Sequence, residues 1–359
     1  ILLEKEYFPR TKPCAGGVSA AAAKLIGTQI PPEIIEARCN SIRGHYGRKT
    51  VFFELQKDFL AVVSREVFDH WLLSLALAAG AEVRQGEKVR EIEKGAGVLT
   101  VRTASRVYRG RLVIGADGVN SIVARAVRAP FSKRELAFCV CTEIPADYAV
   151  VDLWNSIEIY YGPFPMSYGW IFPKRERVSA GLGGWITGLL GIKELFQKFL
   201  LERGLATDHR LKGHYIPLGG FNRQLVSDGI ILAGDAAGFA DPFTGEGIRY
   251  AIASGRQAAL TAIPLISKGV TLSRQNLSVY ERQCYQEFGG GLRKALFIAR
   301  IFKRFPAAFF GMFFSCREPF QKILEILTGE SDYSQMYRWF LCKAPQLLRQ
   351  WAVQAKNVQ

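Results

Sequence analysis

The sequence is poor in histidine, has no evenly spaced cysteines and lacks a long hydrophobic run, and each shortage removes a class of protein. Four histidines (His45, His70, His209, His214) are scattered with none beside a motif, so the sequence suggests no histidine-led catalytic or metal centre. The seven cysteines (Cys14, Cys39, Cys139, Cys141, Cys284, Cys316, Cys342) are odd in number, and their only close pair is Cys139 and Cys141. That pattern gives neither a disulfide framework nor a zinc site, and it fits a reducing cytoplasm. The longest apolar stretch, residues 305–314, falls far short of the roughly 20 residues needed to span a bilayer, and no signal-peptide pattern is found. RNP-like aromatics, zinc-finger spacing and an arginine-rich tail are also missing, so no nucleic-acid partner is expected. Acids are in deficit: 32 Asp and Glu face 47 Lys and Arg, a net charge of +15 that favours anionic partners such as nucleotides or phospholipid headgroups.

What is present describes a folded α/β protein. With 359 residues, 49% of them hydrophobic, the chain can bury a large core in two or three subdomains. Residues 1–4 (ILLE) read as the end of a buried strand, and the Ala-rich part of AGGVSAAAAKLIG reads as a helix. Short strand-like runs fill 34–63, a helix is expected over 65–79 with Gly80 ending it, and three β-rich runs form a meander leading to a buried strand at 112–116. Residues 135–218 alternate strands with turns around one helix at 192–203, which predicts an antiparallel sheet. A second buried strand at 229–233 leads into a helix at 247–265, and the chain is helical, basic and aromatic from about 273.

Two glycine-rich segments carry the chemistry. In residues 234–249 (GDAAGFADPFTGEGIR) a strand ends at Gly234 and Asp235, and a turn delivers Gly245 and Gly247 to a helix start. Glycines let backbone N–H groups approach an anion at a helix N-terminus, while a strand-end Asp accepts hydrogen bonds from sugar-like hydroxyls. Residues 115–121 (GADGVNS) also follow a strand and precede a helix, though the Asp117-Gly118 pair alone is a common turn. Together, in this order, the two resemble the later fingerprints of FAD-dependent oxidoreductases built like p-hydroxybenzoate hydroxylase. The resemblance implies a Rossmann-like FAD-binding domain, with Asp117 and Gly118 at the nucleotide, Asp235 on the ribityl chain, and Pro242, Gly245, Gly247 and Ile248 facing pyrophosphate and isoalloxazine. It further matches Arg65 to a nucleotide-approaching arginine and Glu4 to an acid on the ribose. That acid ordinarily follows a GxGxxG loop. Since the chain opens without it, roughly 30 residues of strand, loop and helix are expected to precede Ile1.

Within that class, EKEYFPRTKPCAGGVS resembles the KPCGGG segment of geranylgeranyl reductases, with Ala15 in place of one glycine. The resemblance implies that Cys14, Gly16 and Gly17 shape the reactive face beside the flavin. A family pattern YxWxFP followed by GxG is matched at Tyr168, Trp170, Phe172 and Pro173, then at Gly181 and Gly183. On a strand, Tyr168, Trp170 and Phe172 share a face, an aromatic wall suited to a polyprenyl chain and equally to a sheet core. The implied activity is saturation of geranylgeranyl C=C bonds in a lipid or pigment precursor, with NADPH or a ferredoxin or reductase partner as electron source. A monooxygenase or halogenase on the same scaffold, and a basic membrane-binding protein without catalysis, are the alternatives. The expected domains are a discontinuous FAD-binding unit (1–30, 64–133, 219–270), a substrate unit (31–63, 134–218) and a helical region (271–359). In the last, Arg293, Lys294, Arg300, Lys303 and Arg304 among aromatics suit either a helix peripheral on an anionic membrane or one capping the substrate domain.

Overall fold

The computed structural model describes residues 1–145, 155–162, 167–218, 223–314 and 317–356. Outside them lie Cys316 and residues 357–359, parts of the expected substrate unit (146–154, 163–166) and part of the expected FAD-binding unit (219–222). A seven-stranded sheet dominates, in the order β16 (Lys212–Pro217), β12 (Leu136–Pro145), β15 (Arg177–Trp185), β14 (Ser167–Pro173), β13 (Ser156–Tyr161), β4 (Ser41–Tyr46), β5 (Lys49–Glu54). It departs from the purely antiparallel expectation at one joint, where β13 runs parallel to β4. The β4–β5 hairpin comes from a distant part of the chain, so no tight turn forces its direction against β13. One face of the sheet is closed by α4 (Ile192–Leu201), whose Phe196, Phe199 and Leu200 pack on Val140, Ile144 and Leu182.

Four smaller sheets stand beside it. β11 (Val113–Gly115) runs parallel to β18 (Ile230–Leu232), which also pairs with β17 (Val226–Ser227). The expected meander is β8 (Glu91–Lys94), β9 (Leu99–Arg102) and β10 (Val107–Gly110). A third sheet sets β2 (Gly17–Ser19) and β3 (Ile35–Cys39) on either side of β6 (Leu60–Val63), so it crosses the boundary expected at residue 30. β1 (Leu2–Glu4) pairs only with β7 (Val83–Gln85) among the described residues. Ile1 and Leu2 are consequently exposed, unlike the buried strand expected there. Ile114 is exposed too, because it faces the cavity described below, whereas Ile230, Ile231 and Leu232 are fully buried.

Local chemistry sets the helix ends. α1 (Ala20–Ile26) is capped by Ser19, whose hydroxyl accepts from Ala22 N at 3.1 Å. α2 (Arg65–Ala78) ends as expected, with Gly80 left-handed at φ +90°. α3 (Ile122–Arg125) and α5 (Gly234–Ala237) are single turns, and α6 (Ile248–Ser267) follows the second. α7 (Arg274–Cys284) continues through a π turn, Tyr285–Gly289, into α8 (Gly290–Arg304). α9 (Pro306–Phe313), α10 (Glu318–Thr328) and α11 (Tyr333–Lys356) complete the chain. α8 buries Leu292, Ala295, Ile298, Ala299 and Phe302, and with α9 and α10 it builds an aromatic cluster in which Phe53 of β5 stacks on Phe320 at 5.6 Å. Each fully buried Phe contributes about 1.5–3 kcal/mol, so these helices are part of the fold's core.

Candidate active site

A cavity of about 450 Å³ lies between the seven-stranded sheet and the segment 234–249. Its polar end is that segment. After β18, the short α5 turns at Gly238 (φ +87°), and the chain loops back to start α6 at Gly247. No side chain among the described residues caps this twenty-residue helix, so its first N–H groups remain available at the cavity wall. Asp241 holds the loop. Fully buried, its Oδ1 accepts from Phe243 N at 2.8 Å and Thr244 N at 3.2 Å, and its Oδ2 accepts from the Tyr333 hydroxyl at 2.6 Å. Burial pushes the Asp241 carboxyl above its usual range.

The aromatic strand meets this loop directly. Tyr168 on β14 donates its hydroxyl to Thr244 O at 2.8 Å. Gly245, at φ +73°, lies where a Cβ would come 2.2 Å from that hydroxyl oxygen, so glycine is required both for the backbone and for the space. Two motifs 76 residues apart are thereby joined.

Beyond Tyr168 the wall becomes apolar. Tyr168, Trp170 and Phe172 all line the cavity from one face of β14, with Tyr168 and Trp170 ring centroids 5.9 Å apart. The GxG on β15 explains how they fit: Gly181 is opposite Trp170, and a Cβ there would lie 2.0 Å from the indole. Ile157 and Ile159 of β13 and Cys139 of β12 extend the wall, while Phe302, Phe310 and Leu327 close it from the C-terminal helices. Sequence reasoning offered those helices as a cap on the substrate domain or as a membrane-surface element, and named none of their residues in the site. Their contribution is legible only once α8 to α10 are seen folded back over the sheet.

Charged groups gather where the two ends meet. Asp235 lies 3.8 Å from His214 Nε2, and although burial would raise its carboxyl, His214, Lys12 and Arg65 hold it below the usual range. His214 is the one histidine on the cavity wall, and β16 carries it there by pairing His214 with Cys139. No local sequence signal marks it. Arg65 forks onto Asp69 at 2.7 and 2.9 Å; burial opposes its charge, but Cys14 and Asp69 more than offset this. Cys14 lines the cavity and accepts from Gly16 N at 3.4 Å. Glu246, between the two helix-start glycines, accepts the Ser19 hydroxyl on Oε1 at 2.5 Å, while its buried Oε2 has no partner among the described residues. Burial pushes this carboxyl up to about 7, against the Ser19 bond and Arg249.

Most of the expected site residues reach this cavity: Cys14, Gly17, Arg65, Gly118, Gly234, Asp235, Pro242, Gly245, Gly247 and Ile248 line it with the three aromatics. Three others do not. Gly16 turns its carbonyl to Val63 N at 2.9 Å. Asp117 accepts from Ser121 Oγ and from Ile122 N at 2.7 Å, which commits it to the start of α3. Glu4 pairs with Arg10 at 3.5 Å, and Arg10 bridges on to Asp69 at 3.1 Å.

The donor set fits a flavin nucleotide. An uncapped helix start, Lys12 and Arg65 suit its anionic and electron-rich parts, and His214 and Asp235 suit hydroxyls.

No family model matches the chain. It is 33% identical over 273 residues to the geranylgeranyl diphosphate reductase of Rhodobacter capsulatus, covering 72% of this chain and 68% of that one. It is 30% identical over 329 residues to digeranylgeranylglycerophospholipid reductase 2 of Methanopyrus kandleri, covering 84% and 80%. Among solved structures, the geranylgeranyl bacteriochlorophyll reductase-like protein of Thermoplasma acidophilum superposes with a TM-score of 0.76 at 21% identity, over 83% of this chain and 80% of that one. Carried over most of the length of both partners, this likeness shows that the chain belongs to the geranylgeranyl reductase family of FAD-dependent oxidoreductases.

Proposed function

We propose that this chain saturates C=C bonds of geranylgeranyl groups borne by a lipid or pigment precursor. One observation carries the reading: a single cavity joins a glycine-rich helix start to an apolar aromatic wall, so a cofactor and a prenyl chain can lie end to end within it. The names of the relatives, which act on geranylgeranyl compounds, support it. When bound and reduced, FAD supplies the hydride. The chain's own residues orient and desolvate. An isolated alkene has no carbonyl to polarise, and the wall of Trp170, Phe172, Ile157 and Ile159 offers it apolar contact and excludes water. In this reading Gly234, Asp235, Pro242, Gly245, Gly247, Ile248, Arg65 and Gly118 hold the flavin nucleotide, with Glu4 and Asp117 acting from behind. Cys14 and Gly17 shape the face where the alkene meets it, and Gly16 holds their turn from behind through its carbonyl on Val63 N.

The FAD-binding unit is assigned to 1–30, 64–133 and 219–270, the substrate unit to 31–63 and 134–218, and the helical cover to 271–359. NADPH or ferredoxin supplies electrons, and the basic helices rest on an anionic, cytoplasmic membrane face. The test is direct. Full-length protein loaded with FAD, reduced by dithionite and offered geranylgeranyl lipids should add two hydrogens per double bond by mass spectrometry. No mass gain with any such lipid would sink the reading.

A further inference from the structure

We propose that the Tyr161 hydroxyl reads unsaturation in the prenyl chain: it donates to the π face of a C=C bond, so the cavity holds an unsaturated segment more tightly than a saturated one. The inference deepens the reductase reading above and rests on it. Strand alternation on β13 puts Tyr161 on the cavity face with Ile157 and Ile159, and the β13–β14 register sets it directly opposite Tyr168. Its ring packs against the helices that close the wall, with the Phe310 and Phe320 centroids 5.4 and 6.3 Å away. These contacts fix the ring and leave the hydroxyl free. That hydroxyl makes no hydrogen bond among the described residues, yet it is not one of the polar atoms sealed in the interior, so the surface it keeps opens on the cavity that Tyr161 lines.

Neighbouring donors on this wall are spent or walled off. The Tyr168 hydroxyl is committed to Thr244 O at 2.8 Å, and the Cys139 thiol points to His214 O at 3.5 Å. Trp170 presents its ring to the cavity, but its Nε1 is buried out of reach. Tyr161 differs from all three. Burial pushes its phenol above the ordinary range with no hydrogen bond offsetting it, so it stays a neutral O–H donor at neutral pH.

A prenyl chain entering the cavity strips water from this hydroxyl, which must then find an acceptor on the ligand or go without one. An isoprenoid tail has no oxygen or nitrogen to offer. Its acceptors are the π electrons of its double bonds, which take a weak hydrogen bond from a donor over their face. A saturated segment in the same place presents only C–H groups and strands the donor. Because a geranylgeranyl chain carries one double bond per isoprene unit, a second one can stand at Tyr161 while the first meets the flavin. Once reduced, the segment becomes the weaker occupant, which favours its exchange for unreduced chain.

The test separates binding from turnover. Full-length protein loaded with oxidised FAD is immobilised and offered, in detergent micelles, a tritiated geranylgeranyl lipid or its fully saturated counterpart with the same headgroup. Wild type should bind the unsaturated lipid about 5-fold more tightly, the equivalent of about 1 kcal/mol. Tyr161→Phe keeps the ring and removes only the hydroxyl, so its two affinities should converge through a gain for the saturated lipid, at unchanged Tm. After reduction by dithionite, saturated lipid should inhibit the variant about 5-fold more strongly than the wild type. A wild type that binds both lipids alike, or a Tyr161→Phe protein that keeps the wild-type ratio, overturns the proposal while the mass gain keeps the reductase reading. Equal weakening of both lipids by Tyr161→Phe assigns the hydroxyl to a headgroup oxygen and likewise overturns it. A wild type with the preference intact and no mass gain sinks the reductase reading alone, and one with neither removes both.

Discussion

A methyl group at position 245 would lie 2.2 Å from the Tyr168 hydroxyl oxygen, on a backbone already at φ +73°. Gly245→Ala must therefore either expel Tyr168 from its bond to Thr244 O or unwind the turn. The left-handed backbone alone costs about 1–2 kcal/mol for a residue with a Cβ, and the overlap adds to it. The expected outcome is a protein with a lowered Tm and little bound flavin, read as flavin absorbance per protein after gel filtration. Wild-type flavin content would show that the turn is not the cofactor's seat. Tyr168 also illustrates what sequence can and cannot tell. Its place on the aromatic face of β14 follows from strand alternation, but its hydroxyl reaches a carbonyl 76 residues away, and only the folded chain shows that.

At the level of elements, strands and helices with strong patterns were legible: the glycine-led start of α6, the meander, α2 with Gly80 beyond its end, and the aromatic β14 with its GxG partner strand. What stayed hidden depended on tertiary contact. His214 reaches the cavity through the β12–β16 register, Asp117 is spent on capping α3, and the parallel β13–β4 joint has no local signature. The C-terminal helices are the clearest case, since their pattern fits a surface helix and a core helix alike. Tyr333 opens α11 and donates to the buried Asp241 at 2.6 Å, tying that helix to the glycine-rich loop. Tyr333→Phe should destabilise the protein by about 1–3 kcal/mol, because a buried carboxyl loses a donor. Faster proteolysis within residues 333–356, together with a lower Tm, is the expected readout, and unchanged protection would argue against the tie. A second tie crosses the chain at Glu135. Burial would raise its carboxyl, but Arg223 and Ser132 hold it at about 2. Because the folded value is depressed, the stability it contributes is present above the ordinary carboxylate range and disappears as pH falls toward about 2. Glu135→Gln should melt below the wild type at neutral pH, with the gap closing as the pH approaches that value.

For the whole molecule the dominant property is a net charge of +15, and the fold concentrates part of it usefully. On α8, Leu292, Ala295, Ile298, Ala299 and Phe302 are buried, so the inner face is already used and membrane contact cannot come from it. The outer face is different: Arg293, Phe297, Arg300 and Arg304 are all exposed at spacings of three and four residues, which places them in one stripe. Phe305 is exposed at its end, just past the helix. Such a stripe offers cations to headgroups and two rings to the interface, and no helix among the described residues is long and apolar enough to cross a membrane. Phosphatidylserine vesicles should therefore sediment the protein, and phosphatidylcholine vesicles should not. Each basic residue near an anionic surface contributes about 1 kcal/mol, so Arg300→Ala with Arg304→Ala should weaken binding about 30-fold. Raising salt toward about 1 M, where the screening length is about 3 Å, should release the wild type. Equal binding to both vesicle types, insensitive to salt and to the double substitution, would show that the stripe is merely a solvated face and that the prenyl substrate reaches the cavity without it.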